Sequence, residues 1–345
     1  MSVAAFAKKG RGLLPGLFLL LGACSPGGEG PVLLTGQTMG TRYTLKVSEK
    51  PDSGARADLH AAVEKRLSEI NALMSTYDPQ SELSRFNAGR PNGDFPVSGE
   101  TAFVVQAALR VAAATGGAFD PTVGALVDLW GFGPQAVPET IPSAQALATA
   151  RQGVGWRKVH VLEQPWRLKR STPALRLDLS AIAKGYGVDA VAALLAARGH
   201  ENFMVEIGGE VFARGKNSRG EPWRLGIETP RDGAGVGESF SAVVALDGKG
   251  LASSGGYRNF YLRDGKRYSH FIDPRTGKPI THRLAAASVI APSCMEADAA
   301  ATAVMVLGEI EGLAYLEADP ELEGLLMIGD GSGGFKTVAT SNWPK

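Results

Sequence analysis

The sequence predicts an α+β fold, and three observations carry that expectation. In the first half apolar residues step by three and four: Leu59, Val63, Leu67, Ile70 and Met74 in one stretch, Val104, Ala107, Ala108, Val111 and Ala114 in another. That is the period of a helix with one buried face. In the second half short alternating runs follow one another, Phe203 to Ala213 bent at Gly208-Gly209, then Trp223 to Glu228 and Ser239 to Leu246, the pattern of hairpins. Between the halves, Leu177 to Ser180 passes through small residues and two glycines into the spacing Val188, Val191, Leu194 and Leu195, stopped by Gly199. This reads as a strand turning sharply into a helix. Helices that precede hairpins argue against a regularly alternating α/β sheet.

In chain order, Lys8, Lys9 and Arg11 precede the apolar run Leu13 to Leu21, which ends in Leu21-Gly22-Ala23-Cys24. The run is too short to span a bilayer, and small residues before a cysteine mark a lipoprotein cleavage site. Residues 1–23 are therefore expected to be removed as a signal, Cys24 to carry lipid, and residues 24–34 to form a tether ahead of one domain over 35–345. With Cys24 lipidated only Cys294 remains, so no intrachain disulfide is expected, and Cys294 reads as a buried small residue. Thr35 to Thr41 reads as a small-residue loop entering an alternating strand. The helix that follows ends near Ser75-Thr76-Tyr77-Asp78-Pro79, where proline forbids continuation. Ser81 to Asn87 is a short helical turn. Ser98 caps a second helix that Gly116-Gly117 end.

Residues 118–134, rich in Gly, Pro and aromatic side chains, read as a packed loop. A third helix starts at Ser143, and strands are expected at Val159 to Leu162 and Leu175 to Leu179. Leu251 to Tyr261 reads as a loop entering a strand, Asp264-Gly265-Lys266 as a turn, and Cys294 to Leu307 as a helix.

Thirty-six Lys and Arg against 35 Asp and Glu leave a net charge of +1 in 345 residues, so no basic surface argues for a nucleic-acid partner. Zinc spacing of His and Cys, a nucleophile elbow and a phosphate-binding Walker loop are all missing from the sequence. Lys184 sits where helix-start amides point outward and favour anions; the turn could equally be tight for packing alone. Asp298 and Thr302 share a helix face and offer two hard oxygen donors suited to Mg²⁺ or Ca²⁺. The alternative is an exposed Asp and a Thr bonded to its own backbone. His270, between Ser269 and Asp273 at a proline turn, can accept a proton near neutral pH or serve the turn. Tyr77, at a helix end, either stacks on an aromatic ligand or closes the core.

Together these stretches resemble the ApbE family of bacterial lipoproteins, the FAD:protein FMN transferases. The matching segments are Thr38-Met39-Gly40-Thr41, Met74 to Tyr77, Phe119 to Gly124, Asp178 to Asp189, Glu206 to Gly209, Ser253 to Arg258, Tyr268 to Gly277 and Ala297 to Thr302, in the family's order. Ser253-Ser254 stands where relatives often carry a threonine. The resemblance implies an α+β unit of the tunnelling-fold type, with a mixed or antiparallel sheet flanked by helices, FAD as substrate and Mg²⁺ as cofactor. It implies cleavage of the FAD pyrophosphate, attachment of FMN to a Thr or Ser of an acceptor protein, and release of AMP. Carried over residue by residue, Met39, Tyr77, Ala118, Phe119, Asp120, Ser180 and Ile272 would line the FAD site, with Tyr77 and Phe119 offering apolar faces and Asp120 and Ser180 polar contacts. Ala183, Asp298, Ala301 and Thr302 would hold the metal, aided by Lys184, while His270, with Asp273 sharing or orienting the proton, would act as base. Acceptors in the family include subunits of membrane redox pumps, which fits a lipid-anchored enzyme on the periplasmic side, the inner membrane favoured over the outer. The rival expectations are an FAD-storing lipoprotein without chemistry and a Mg²⁺-dependent FAD pyrophosphatase.

Overall fold

The predicted strand before Val47 begins earlier than its alternation shows. Val32–Thr38 (β1) and Thr41–Val47 (β2) form an antiparallel hairpin, so the stretch expected to be a loop at Thr35 to Thr38 pairs fully with β2. The last residues of the expected tether thus belong to a sheet, with Val32 and Leu34 buried. Met39 and Gly40 make the turn at φ 49° and 72°, the left-handed pair that matches the twist of a tight hairpin. The computed structural model describes residues 31–49, 53–89, 93–134, 137–230, 239–257 and 259–344. The signal, Cys24, most of the tether and Arg258 lie outside them.

Ser53–Met74 (α1) turns its predicted apolar stripe inward. Glu82–Ala88 (α2) is capped by Ser81, whose Oγ accepts from Ser84 N–H at 3.0 Å. After the short Phe95–Pro96 (β3), Gly99–Ala114 (α3) is capped in the same way by Ser98. The expected loop after it contains Gly124–Leu129 (α4), whose six residues are too few to show a period. Ala144–Arg151 (α5) follows its Ser143 cap. Val159–Leu162 (β4) and Arg167–Arg170 (β5) join β3 in a three-stranded sheet.

Leu175 to Leu179, expected as a strand, is extended but joins no sheet ladder. The Asn87 side chain takes a strand's place beside it, donating to Leu177 O and accepting from Leu177 N–H at 2.8 Å each. Ala183–Ala197 (α6) then begins five residues before the expected start, so Gly185 and Gly187 lie inside a helix. The strands Phe203–Ile207 (β6), Glu210–Arg214 (β7), Trp223–Glu228 (β8) and Phe240–Leu246 (β9) match the alternating runs. The expected loop at Leu251 is mostly strand, Lys249–Gly255 (β10). Phe260–Arg263 (β11) and Lys266–Ser269 (β12) form a hairpin, and Ile272–Asp273 (β13) pairs with Lys278–Pro279 (β14). Leu284–Ala291 (β15), Cys294–Glu317 (α7), Glu323–Gly329 (β16) and Phe335–Ala339 (β17) complete the chain. α7 is long and apolar enough to cross a membrane by composition, yet it breaks at Gly308 and its first half is buried in the core.

One antiparallel sheet in the order β1-β2-β6-β7-β10-β15-β16-β17 organises these elements, as the α+β expectation required. Strand alternation divides its two faces. Leu45, Val205 and Ile207 meet Val188 and Val191 of α6, and Ala252, Ala287 and Val289 meet Ala297 and Val304 of α7. The opposite parity, including Met204, Val211 and Ile290, packs under β8 and β9.

Candidate active site

The first amides of α6 and α7 lack partners within their own helices and need acceptors. Each helix supplies the other's. Asp298 Oδ2, on α7, accepts from Gly185 N–H at 3.0 Å. Asp189, on α6, accepts from Cys294 N–H at 2.9 Å and Met295 N–H at 2.8 Å. A Cβ on Gly185 would lie 2.3 Å from the Cys294 carbonyl oxygen, so glycine there is what lets the two backbones touch. The clasp sets the start of α6, with Ala183 and Lys184, against the turns of α7 that carry Asp298, Ala301 and Thr302.

Lys184 Nζ lies 2.9 Å from Glu210 Oε1 and 3.5 Å from Asp298 Oδ1, and both acids are buried, at 3% and 2% exposure. Burial works against the Lys184 ammonium, but the two carboxylates outweigh it and hold it protonated above the ordinary lysine range. Burial raises the Glu210 carboxyl, and the Lys184 ammonium beside it opposes the rise and favours the carboxylate. Thr302 Oγ1 is 3.4 Å from Ser254 Oγ. Asp298 keeps one oxygen clear of backbone bonds, and Thr302 adds a hydroxyl one helical turn along, so the pair fits a hard cation such as Mg²⁺. Ala301 offers only a carbonyl, which the interior of α7 already uses.

His270 Nδ1 lies 2.9 Å from the Asn259 carbonyl. A carbonyl only accepts, so the hydrogen sits on Nδ1 and Nε2 keeps its lone pair. Burial lowers the imidazole below its usual range, and the charge of Lys184 lowers it further. His270 is therefore neutral at neutral pH and lies in the field of the buried cluster. Asp273 is engaged elsewhere: its Oδ1 accepts from Arg275 N–H and Nε at 2.8 and 3.0 Å, and its backbone oxygen accepts from Gly277 N–H at 2.7 Å. It shapes the proline turn and makes no hydrogen bond to His270 among the described residues.

The residues carried over for FAD divide into two groups. Tyr77 is 67% exposed, so the core reading fails for it. Met39 occupies the β1–β2 turn and Ser180 is exposed. In contrast, Ala118, Phe119, Asp120 and Ile272 are buried. Phe119 packs in the core among the helices of the first half, so its ring presents no free face. Both oxygens of Asp120 are occupied, Oδ1 by the Thr122 amide and hydroxyl and Oδ2 by Trp156 N–H. Burial raises its pKa, and those bonds oppose the rise. A cavity of about 260 Å³ opens beside Tyr77, lined in part by Thr76, Asn87, Asp128 and Asp178.

The ApbE family model matches residues 39–326. The FAD:protein FMN transferase of Vibrio cholerae is 43% identical over 325 residues, 94% of this chain and 95% of its own length. That of Klebsiella pneumoniae is 40% identical over 336 residues, 95% and 94% of the two chains. This chain belongs to the ApbE family. The solved structure of the flavin transferase ApbE from Vibrio cholerae superposes with a TM-score of 0.81 at 42% identity, over 91% of this chain and 98% of that one. The apo flavinyl transferase ApbE of Pseudomonas stutzeri gives 0.81 at 39% identity, over 90% and 95%.

Within this ApbE chain the structure brings Lys184, Asp298 and Thr302 together and sets His270 in the same electrostatic field. The sequence reading missed Glu210, Asp189 and Asn259. Glu210 follows the Gly208-Gly209 bend, where φ values of 62° and 107° let β6 fold straight into β7. An acid directly after the Gly-Gly bend, ahead of Val211-Phe212-Ala213, was its only sequence signal. Asp189 closed a recognised stretch, but its partners lie on another helix.

Proposed function

We propose that this chain transfers FMN from FAD to a Thr or Ser hydroxyl of an acceptor protein, in a Mg²⁺-dependent reaction that forms a phosphoester and releases AMP. It is an enzyme, a flavin transferase with FAD as donor and a protein as acceptor. The observation that carries the finer reading is the pairing of a neutral, tautomer-fixed His270 with the buried Lys184–Asp298 cluster. Asp298 and Thr302, with a carbonyl such as that of Ala183, would hold Mg²⁺, which when bound supplies charge neutralisation to the pyrophosphate. His270 Nε2 takes the proton from the acceptor hydroxyl as its oxygen attacks the FMN phosphorus. The bond from that phosphorus to the bridging oxygen breaks, and the oxygen leaves with AMP. Lys184, held charged, adds to the positive field in which charge develops. Tyr77, exposed beside the cavity, would stack on an aromatic ring of FAD.

We further propose that residues 1–23 are a removed signal, that Cys24 is lipidated, and that the chain from Val32 onward, where β1 begins, forms the catalytic domain at the periplasmic side of a membrane, the inner one favoured. A subunit of a membrane redox pump is the proposed acceptor. Cys24→Ala should abolish incorporation of a labelled fatty acid; undiminished labelling overturns the anchor. The decisive experiment incubates the mature protein with FAD, Mg²⁺ and a Thr-containing acceptor domain and reads flavin fluorescence on a denaturing gel. A fluorescent acceptor band supports transfer. FAD consumed to free FMN with an unlabelled acceptor would overturn it in favour of hydrolysis.

A further inference from the structure

Lys184 stands between two buried carboxylates and is not shared equally, lying closer to Glu210 than to Asp298. Asp298 has one oxygen committed to Gly185 N–H, so the oxygen facing Lys184 is the one left for a cation. An ammonium and a divalent cation compete for that oxygen, and they repel one another as well. Glu210 is nine-tenths buried and more, and its Oε2 has no hydrogen-bond partner among the described residues. Burying a carboxylate oxygen without a partner is costly, and folding alone gives no reason for it here. β7 packs against both α6 and α7, which sets this carboxylate beside their junction.

We propose that Glu210 is a positioning residue that holds the Lys184 ammonium off Asp298 and so keeps the Asp298 oxygen open to a divalent cation. Its second oxygen is a further acceptor onto which the ammonium turns when a cation arrives. Without Glu210 the ammonium closes its remaining gap to Asp298 and blocks the ligand. This inference rests on the proposed role of Asp298 as a metal ligand, and the test separates the two.

The probe is Mn²⁺ alone, a hard cation with the same oxygen preference as Mg²⁺. It is titrated without FAD into the full chain, and free Mn²⁺ is read by electron paramagnetic resonance. Glu210→Gln should weaken Mn²⁺ binding by about tenfold or more, the direction expected when the ammonium closes on the ligand oxygen. In a Lys184→Met background the same substitution should change affinity by less than about threefold, because no ammonium remains to be held. A full tenfold loss in that background means that Glu210 acts only through its own charge, and the proposal is overturned. Equal affinity of Glu210→Gln and the parent protein also overturns it. If Glu210→Gln does not fold, Lys184→Met carries the test: it should bind Mn²⁺ at least as tightly as the parent, and weaker binding overturns the proposal. Asp298→Ala is the control, since unchanged Mn²⁺ affinity there removes the metal reading itself.

Discussion

In the proposed reaction the junction of α6 and α7 and the arm that carries His270 would act together from opposite kinds of structure. At the junction, Glu210 and Asp298 are almost wholly excluded from water, and backbone amides of each helix are held by a carboxylate of the other. The arm is built from β11, β12 and the two-residue strands β13 and β14, with mostly local hydrogen bonds. Its rigidity comes from stacked rings: Trp130 on Tyr268 at 5.6 Å, Tyr268 on Tyr261 at 5.3 Å and Tyr261 on Phe132 at 5.4 Å. The Phe132 ring then meets His270 edge-on at 6.3 Å. A buried ion cluster cannot be altered without disturbing the fold around it, whereas a base on a surface arm can. The junction should therefore couple activity to stability, and the arm should separate them.

The strongest way to break that contrast is Asp298→Ala. It removes a proposed metal ligand, frees the Gly185 amide and unbalances Lys184, so Mg²⁺-dependent turnover should be lost. Stability should fall by about 1–3 kcal/mol for the unsatisfied buried groups. FAD binding should survive in part, because ring contacts do not need the cation. Turnover with the parent's metal requirement in this variant would remove Asp298 from the site.

Next in size is His270→Ala. A positioned base contributes on the order of 10²–10⁴ in rate, so transfer should fall by that factor while melting temperature and FAD affinity stay near the parent's. A large loss of melting temperature would show that the imidazole mainly holds the turn. Because burial lowers the His270 pKa, the neutral, competent form persists below the usual imidazole range. In the parent, kcat/KM should thus decline only as pH drops below about 6.5. A decline that begins well above that value contradicts the assignment.

The same contrast governs what the sequence could reveal. Helices with one wet face, such as α1 and α3, were legible from their period. β15 and β16, buried on both faces in the middle of the sheet, were not, since Leu-Ala-Ala-Ala-Ser-Val-Ile-Ala shows no alternation. α6 was read as starting late because Gly185 and Gly187 look like turn residues. They are glycine because the Cys294 backbone and the Met39 side chain leave no room for a Cβ, not because the chain turns there. In the site, Asp298 and Thr302 were legible because they lie one turn apart on a single helix. Glu210 was not, because its partner Lys184 reaches it only through the pairing of α6 with β7. Local spacing reveals ligands on one element and is silent on charges that meet across elements.

Asp189 sharpens the junction side. Truncating it to Ala strips both amide bonds at the start of α7 and should cost about 1–2 kcal/mol, the upper range for a helix cap. Burial raises Asp189 to about 6 despite those amide bonds, above the roughly 3.9 of an unfolded Asp. A raised carboxyl binds its proton more tightly in the folded chain, so its contribution is full below pH ~4 and is lost as pH rises towards about 6. The stability advantage of the parent over Asp189→Asn should shrink across that window, by on the order of 3 kcal/mol in all. Chemical denaturation of both proteins from pH 4 to 7 measures it, and a gap that widens with pH would contradict the assigned shift.

The smallest expected effect falls on Tyr77, which is more exposed than any residue of the buried cluster. Ser75 Oγ accepts from the amides of Tyr77 and Asp78 at 3.1 Å each, so the backbone after α1 turns outward without help from the ring. Partial desolvation of the otherwise exposed side chain, with the charges of Asp178 and Asp128 nearby, raises its pKa, so it stays protonated and the ring neutral at physiological pH. Tyr77→Ala should leave the melting temperature unchanged, since nothing in the core depends on it, and weaken FAD binding by about 3–10-fold, the worth of one ring stack. Tyr77→Phe keeps the stacking face and should bind nearly as the parent does. Phe119→Ala is the opposite case, because its ring is in the core: it should cost about 3–5 kcal/mol of stability. Equilibrium titration with FAD, paired with melting curves, distinguishes the two aromatic residues. Unchanged FAD affinity in well-folded Tyr77→Ala would place the flavin elsewhere and leave the neighbouring cavity without an aromatic wall.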